Sequence, residues 1–133
     1  MRYLLDTSAL YPLILKLKDD FLKYSEKFLV LDLTFYEVGN VLWKEYRKGN
    51  IKDVEAVATF FEEVLKALPK IALNDELLNI EKIAVKEDLT FYDASYLYAA
   101  MSNKIKLVTE DKDLLRFPVS ITVEQLLEEL NER

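Results

Sequence analysis

The chain of 133 residues contains no histidine and no cysteine. Without an imidazole, Ser-His-Asp hydrolysis, Cys-His nucleophiles and histidine acid–base pairs are all excluded. Zinc sites built from thiolate and imidazole ligands are excluded for the same reason. Any chemistry must therefore use carboxylates, hydroxyls, amines or a bound ion. Because there is no disulfide framework either, we expect a cytoplasmic setting.

Glycine and long apolar runs are also scarce, with only 2 glycines in the whole chain. No apolar run approaches the roughly 20 residues that a membrane span needs, so we expect no membrane partner. The length and the 51% of hydrophobic residues predict a single globular domain over residues 1–133. The formal net charge of −6 normally counts against a nucleic-acid partner.

Short apolar runs alternate with longer segments of helical periodicity. Strands are predicted at residues 2–6, 28–31, 105–109 and 119–121, whereas 71–73 is too short to assign. Helices are predicted at 35–48, 54–68, 74–87 (capped by Asn74) and 91–103, and a final helix has Val123, Leu126, Leu127 and Leu130 on one face. This alternation predicts an α/β three-layer sandwich, with a central parallel sheet flanked by helices.

Two acidic residues stand where predicted strands end. Asp6 follows the first strand directly, and Asp111 lies just past the strand that ends at Thr109. Ligands of open parallel sheets bind beyond the carboxyl ends of the strands. Taken singly, each acid is better explained as a loop residue or a helix N-cap than as part of a binding site.

Two further acids belong to a repeated four-residue pattern, TFYE at 34–37 and TFYD at 90–93. Both match the capping box, which predicts that Thr34 and Thr90 begin helices and that Glu37 and Asp93 cap them. Helix starts cluster at the carboxyl edge of such a sheet, so the four acids are predicted to share one crevice. Because clustered carboxylates repel, a hard divalent cation such as Mg²⁺ or Mn²⁺ is the expected occupant. Such an ion can activate water without histidine.

With these features the chain resembles the PIN-domain nucleases and, within them, the VapC toxins of toxin–antitoxin pairs. The order and spacing of four segments carry the resemblance over essentially the whole chain. They are LLDTSAL at 4–10, EVGNVLWK at 37–44, YDASYLYAA at 92–100 and LVTEDKDLL at 107–115.

The resemblance implies a PIN-like fold and an endoribonuclease that cuts single-stranded RNA with Mg²⁺ or Mn²⁺. It implies that the catalytic and metal-binding acids are Asp6, Glu37, Asp93 and Asp111. Asp113 is either a further contributor or a solvated helix acid.

Several polar residues are candidates for supporting roles. Thr7 or Ser8 would orient a metal-bound water, although Ser8 could equally be only a helix cap. Thr109 either holds the first acid through its hydroxyl or simply ends a strand. Asn40 lies one helical turn after Glu37 and shares its face.

Basic and aromatic residues suggest where RNA would bind. Lys44 and Lys48 are assigned to RNA binding, with ordinary solvated helix charges as the alternative. Tyr36, Tyr92 and Tyr96 could stack on bases, although core or dimer packing is the favoured interpretation for most aromatic residues here.

The resemblance also implies an RNA substrate, a VapB-type antitoxin and a homodimer. Within the same fold, the alternatives are an RNA-processing nuclease without an antitoxin and a non-catalytic scaffold that binds RNA or protein. Outside it, a haloacid-dehalogenase-like phosphatase would need an acid where Ser8 stands. A response-regulator receiver domain would have to use Asp32 as the phosphate acceptor.

Overall fold

The computed structural model describes residues 1–131. Its centre is a five-stranded sheet in which every strand pairing is parallel. The strands are β1 (Tyr3–Leu5), β2 (Phe28–Leu31), β3 (Lys70–Ile71), β4 (Lys106–Val108) and β5 (Ser120–Ile121). Their order across the sheet is β3-β2-β1-β4-β5.

Helices connect these strands and cover both faces of the sheet. They are α1 (Thr7–Leu17), α2 (Asp32–Arg47), α3 (Val54–Ala67), α4 (Leu77–Glu87), α5 (Phe91–Asn103), α6 (Lys112–Leu115) and α7 (Val123–Asn131). Between α1 and β2, Lys18–Lys27 forms 3₁₀ turns. None of the helices within residues 1–131 combines the length and the apolar character needed to cross a membrane.

Alternate residues of the strands pack into two hydrophobic layers. Tyr3 and Leu5 of β1 pack with side chains of α1, α3 and α7, whereas Leu4 packs with those of α4, α5 and α6. All three are fully buried, as expected for a parallel strand that is covered on both faces. The predicted three-layer α/β sandwich is therefore confirmed.

The order in which the chain adds strands reverses beside the central strand β1. From β1 the chain builds β2 and β3 on one side, then crosses to build β4 and β5 on the other. Leu5 pairs with Val108, and the amide of Asp6 donates to the Val108 carbonyl at 3.1 Å. The carboxyl ends of β1 and β4 therefore lie side by side at the switch point, where open α/β sheets form their binding crevice.

Two predicted helix starts are wrong. α2 begins at Asp32 rather than after Thr34, because β2 passes directly into the helix and the Thr34 hydroxyl accepts the Leu31 amide at 3.2 Å. Asn74 does not cap α4, whose N-cap is Glu76. A turn closed by the Glu76 amide and the Leu73 carbonyl, at 3.2 Å, occupies the residues before that helix.

Candidate functional site

A cavity of about 450 Å³ opens at the carboxyl edge of the sheet, next to the switch point. Its wall includes the four acids that the sequence singled out. Asp6 comes from the end of β1, Glu37 from the second turn of α2, Asp93 from the first turn of α5 and Asp111 from the loop after β4. Side chains from distant parts of the sequence thus meet in one place.

Asp6 is buried and hydrogen-bonded through both carboxylate oxygens. Its Oδ1 accepts the Ser8 hydroxyl at 2.7 Å and the Ala9 amide at 3.0 Å, which makes Asp6 the N-cap of α1. Its Oδ2 accepts the Thr109 hydroxyl at 2.5 Å. Burial raises the pKa of Asp6 to about 6 against the effect of these bonds, and the nearby charge of Asp93 adds to the rise. A cation beside Asp6 would favour its charged form.

Asp93 lies in the first turn of α5, where its amide donates to the hydroxyl of the N-cap Thr90 at 3.1 Å. Partial burial is the main cause that raises the pKa of Asp93 to about 6, followed by the charges of Asp111, Glu37 and Asp113. One carboxylate oxygen each from Asp93, Asp111 and Asp113 lies within 4.8 Å of the other two. The exposed Asp113 therefore lies beside Asp93 and Asp111.

Thr109 links the two strand ends. It is fully buried, donates its hydroxyl to Asp6 and accepts the amide of Asp111 at 3.0 Å. Asp111 in turn caps α6 by accepting the Asp113 amide at 2.8 Å. The hydroxyl thus fixes the spacing between the first and last acids, which goes beyond ending a strand.

Glu37 is held by two hydroxyl groups. Its Oε1 accepts Tyr96 Oη at 2.6 Å and Thr7 Oγ1 at 2.9 Å. Tyr96 is only 2% exposed, so it packs in the core, as the favoured interpretation had it, and cannot stack on a base. Burial, followed by the charge of Glu37, raises the pKa of Tyr96, so the phenol remains a proton donor.

The predicted RNA-binding face of α2 divides into two parts. Asn40 lines the acidic cavity, whereas the exposed Lys44 and Lys48 lie outside its wall. Glu45, which the sequence reasoning did not select, lines the cavity, and Lys48 Nζ lies 3.9 Å from its Oε1. Glu37 and Glu45 are eight residues apart, so both lie on one side of a helix. This spacing could have predicted from the sequence that Glu45 faces the same cavity.

Tyr36 and Tyr92 flank a neighbouring cavity of about 520 Å³. Their side chains are 72% and 56% exposed, so neither belongs to the core. Glu37 and Asn40 line both cavities, so the two are contiguous.

The donor set of the acidic cavity suits a hard cation. Carboxylates and hydroxyls are its polar side chains apart from the amide of Asn40, and oxygen ligands are those that Mg²⁺ and Mn²⁺ prefer. Asp93, Asp111 and Asp113 offer the closest group of carboxylate oxygens. Asp6 and Glu37 lie on the same wall.

Comparisons with known proteins agree with this fold. Residues 3–119 match the PIN domain family. The chain is 43% identical over 128 residues to Exonuclease VapC9 of Pyrobaculum aerophilum, covering 96% of this chain and 94% of that protein. It is 39% identical over 97 residues to Ribonuclease VapC3 of the same organism, covering 69% and 72% of the two chains.

Two solved structures share the architecture. The crystal structure of PAE2754 from Pyrobaculum aerophilum matches with a TM-score of 0.89 and 42% identity, covering 100% of this chain and 98% of that one. A toxin–antitoxin complex from Klebsiella pneumoniae matches with a TM-score of 0.65 over 91% and 97% of the chains, and its 18% identity indicates likeness of fold alone. The resemblance noted from the sequence is confirmed, and the chain belongs to the PIN domain family and, within it, to the VapC proteins.

Proposed function

We propose that the chain is a divalent-metal-dependent endoribonuclease that hydrolyses phosphodiesters of single-stranded RNA, and that it is the toxin of a VapBC-type pair. One observation carries the proposal: in a protein without imidazole, Asp6, Glu37, Asp93 and Asp111 line a single open cavity. Asp113 joins two of them within 4.8 Å. The relatives named as nucleases support the same reaction class.

In this proposal, Asp93, Asp111 and Asp113 hold the ion, with Asp6 and Glu37 as further carboxylate ligands. A bound Mg²⁺ or Mn²⁺ would lower the pKa of a water and offset the charge that develops on the phosphodiester. The raised pKa of Asp6 and of Asp93, both about 6, supports a cation at this site. Either carboxyl is otherwise partly protonated near neutral pH.

The remaining polar groups of the cavity would bind and orient the substrate. Asn40 is exposed at the cavity, where its amide can donate to phosphate or sugar oxygens, whereas the one hydroxyl proton of Ser8 is already donated to Asp6. Tyr36 and Tyr92 border the contiguous cavity and would stack on an unpaired base. Such contacts favour single-stranded over duplex RNA, whose bases are already stacked.

The position of cleavage requires a direct test, because one relative is named an exonuclease and the other a ribonuclease. We favour internal cleavage because the acids face an open cavity, which an internal phosphodiester can approach. Circular and linear single-stranded RNAs of one sequence separate the alternatives. With Mg²⁺ or Mn²⁺ the wild type should open the circle, and EDTA should abolish the reaction.

Each other outcome points to a different function. Degradation of the linear RNA alone would indicate an exonuclease. No cleavage of either RNA, together with RNA binding, would indicate a non-catalytic scaffold. The phosphatase and receiver alternatives are not favoured, because Ser8 donates to Asp6 and the exposed Asp32 lies outside the acidic cavity.

The proposal extends to partners. An antitoxin with a basic segment would be attracted to the acidic cavity, and the VapC relatives support such a pairing. Exposed apolar side chains on α2, namely Phe35 (60%), Trp43 (52%) and Tyr46 (50%), support a homodimer, which sedimentation would detect. A cytoplasmic location follows from the proposed RNA substrate. A VapC-like nuclease that works without an antitoxin remains the second candidate.

Replacing Lys44 and Lys48 together by glutamine should raise the KM for RNA several-fold and leave kcat unchanged, because phosphate contacts outside the cavity act on binding. The dependence of KM on salt should become weaker. The matched control replaces Lys82 and Lys86, which are exposed on α4 and carry the same charge. If both double variants behave alike, the lysines of α2 act only through net charge.

A further inference from the structure

We propose that Tyr96 and Thr7 are positioning residues for Glu37: their hydroxyl groups together hold one carboxylate oxygen and so present the other to the metal site. The inference rests on the proposed nuclease function and adds two residues to it. Neither needs to touch RNA or metal to act.

The geometry at Glu37 is asymmetric. Both hydroxyls donate to Oε1, Tyr96 at 2.6 Å and Thr7 at 2.9 Å. Within residues 1–131, Oε2 accepts no hydrogen bond. Two donors on one oxygen fix the rotation of the carboxylate as well as its position. The second oxygen is then free to take an ion or a water.

Tyr96 is itself held in place. Its hydroxyl lies 2.7 Å from Thr34 Oγ1, which accepts the Leu31 amide at 3.2 Å. Each hydroxyl has one proton, and that of Tyr96 is directed to Glu37. Thr34 must therefore donate to Tyr96. The relay from Thr34 through Tyr96 to Glu37 leaves the first turn of α2, passes through α5 and returns to the second turn of α2.

This arrangement has a clear consequence for metal binding. A glutamate on a helix loses side-chain freedom when it becomes a ligand, and this loss weakens binding. Glu37 has lost that freedom already, because a ring that is 2% exposed fixes its carboxylate. Partners of this kind, which orient ligands without touching the ion, commonly change metal affinity by about 10-fold to 100-fold when removed.

The test compares Tyr96→Phe with Tyr98→Phe. Tyr98 lies on the same helix, and its hydroxyl donates to another carboxylate, that of Glu76, at 2.7 Å. Glu76 does not line the acidic cavity, so the control removes the same group from the same kind of bond elsewhere. The readout is the Kd for Mn²⁺ of the metal-free protein, measured by electron paramagnetic resonance, with thermal unfolding in parallel.

We expect Tyr96→Phe to weaken Mn²⁺ binding about 10-fold and Tyr98→Phe to leave it unchanged. In a Glu37→Ala background, Tyr96→Phe should have no further effect on the Kd, because its partner is gone. Equal Mn²⁺ affinity in Tyr96→Phe and wild type would overturn the inference. An undiminished effect in the Glu37→Ala background would overturn it as well.

If the Tyr96→Phe protein does not fold, a second pair of variants tests the same inference. Thr7→Val removes the other donor to Oε1, whereas Thr7→Ser keeps it. Weaker Mn²⁺ binding in the first and normal binding in the second are expected, and equal binding in both would contradict the inference. Failure of the proposed function looks different: a wild type that neither binds Mn²⁺ nor cuts RNA would remove both claims.

Discussion

Replacing Asp93 by asparagine is expected to lower RNA cleavage by about 10²-fold to 10³-fold, the range seen when a group that stabilises transition-state charge is removed. Asparagine keeps the shape of the side chain but loses the negative charge next to Asp111, Glu37 and Asp113. The same loss should raise the melting temperature of the metal-free protein, because it removes a partly buried charge and its repulsion by neighbouring carboxylates, the two causes that raise the pKa of Asp93. Initial rates on single-stranded RNA and unfolding in EDTA measure the two effects.

Asp32→Asn is the matched control for this variant. Asp32 follows β2 as Asp6 follows β1, yet it is exposed, accepts the adjacent Leu33 amide at 2.9 Å and lies outside the acidic cavity. The Asp32→Asn variant should therefore cut RNA at the wild-type rate. Wild-type cleavage by Asp93→Asn would place the active site elsewhere. Loss of cleavage in both variants would mean that cleavage depends on the net negative charge of the protein and not on the acidic cavity.

The sequence predicted the parts of this fold that depend on local patterns. Asp6 and Asp111 were selected because each follows an apolar run, and parallel strands bring their carboxyl ends to one edge. The periodicity of residues 54–68 predicted a helix that is observed as Val54–Ala67. The two-residue strand Lys70–Ile71 has no such pattern, because only its pairing with β2 defines it.

The two similar patterns, TFYE at 34–37 and TFYD at 90–93, have different roles in the structure. Thr90 caps α5 as predicted, whereas Thr34 lies inside α2 and its hydroxyl serves Leu31 and Tyr96. The residues that precede each pattern cause the difference, since β2 leads directly into α2 and the helix has already begun at Thr34. The bond between Tyr96 and Glu37 joins residues 59 positions apart, and it depends on how α5 packs against α2. No spacing in the sequence specifies that contact.

The catalytic roles of the acids stay predictions, and pH offers an independent test of them. The pKa of Asp6 is about 6 in the folded protein and 3.8 without its surroundings. Between these values the folded state binds more protons than the unfolded state, so stability falls as pH rises. The loss is nearly complete about one unit above the folded pKa, and at 1.36 kcal/mol per unit it amounts to about 3 kcal/mol over the whole titration. Asp93, which is more exposed, contributes in the same direction.

Metal-free protein should therefore be more stable at pH 5 than at pH 7, and a divalent cation should largely reverse the difference. Mn²⁺ at 100 times its Kd adds about 2.7 kcal/mol. At pH 5 it should add less, because protons compete for the same carboxylates. Denaturant unfolding at both pH values, with EDTA or with Mn²⁺, measures the free energy of unfolding under all four conditions.

In Asp6→Asn the loss of stability between pH 5 and pH 7 should be smaller than in the wild type, since asparagine does not titrate. If the loss of stability is unchanged in this variant, other groups cause the pH dependence, and Asp6 does not require a cation to be charged.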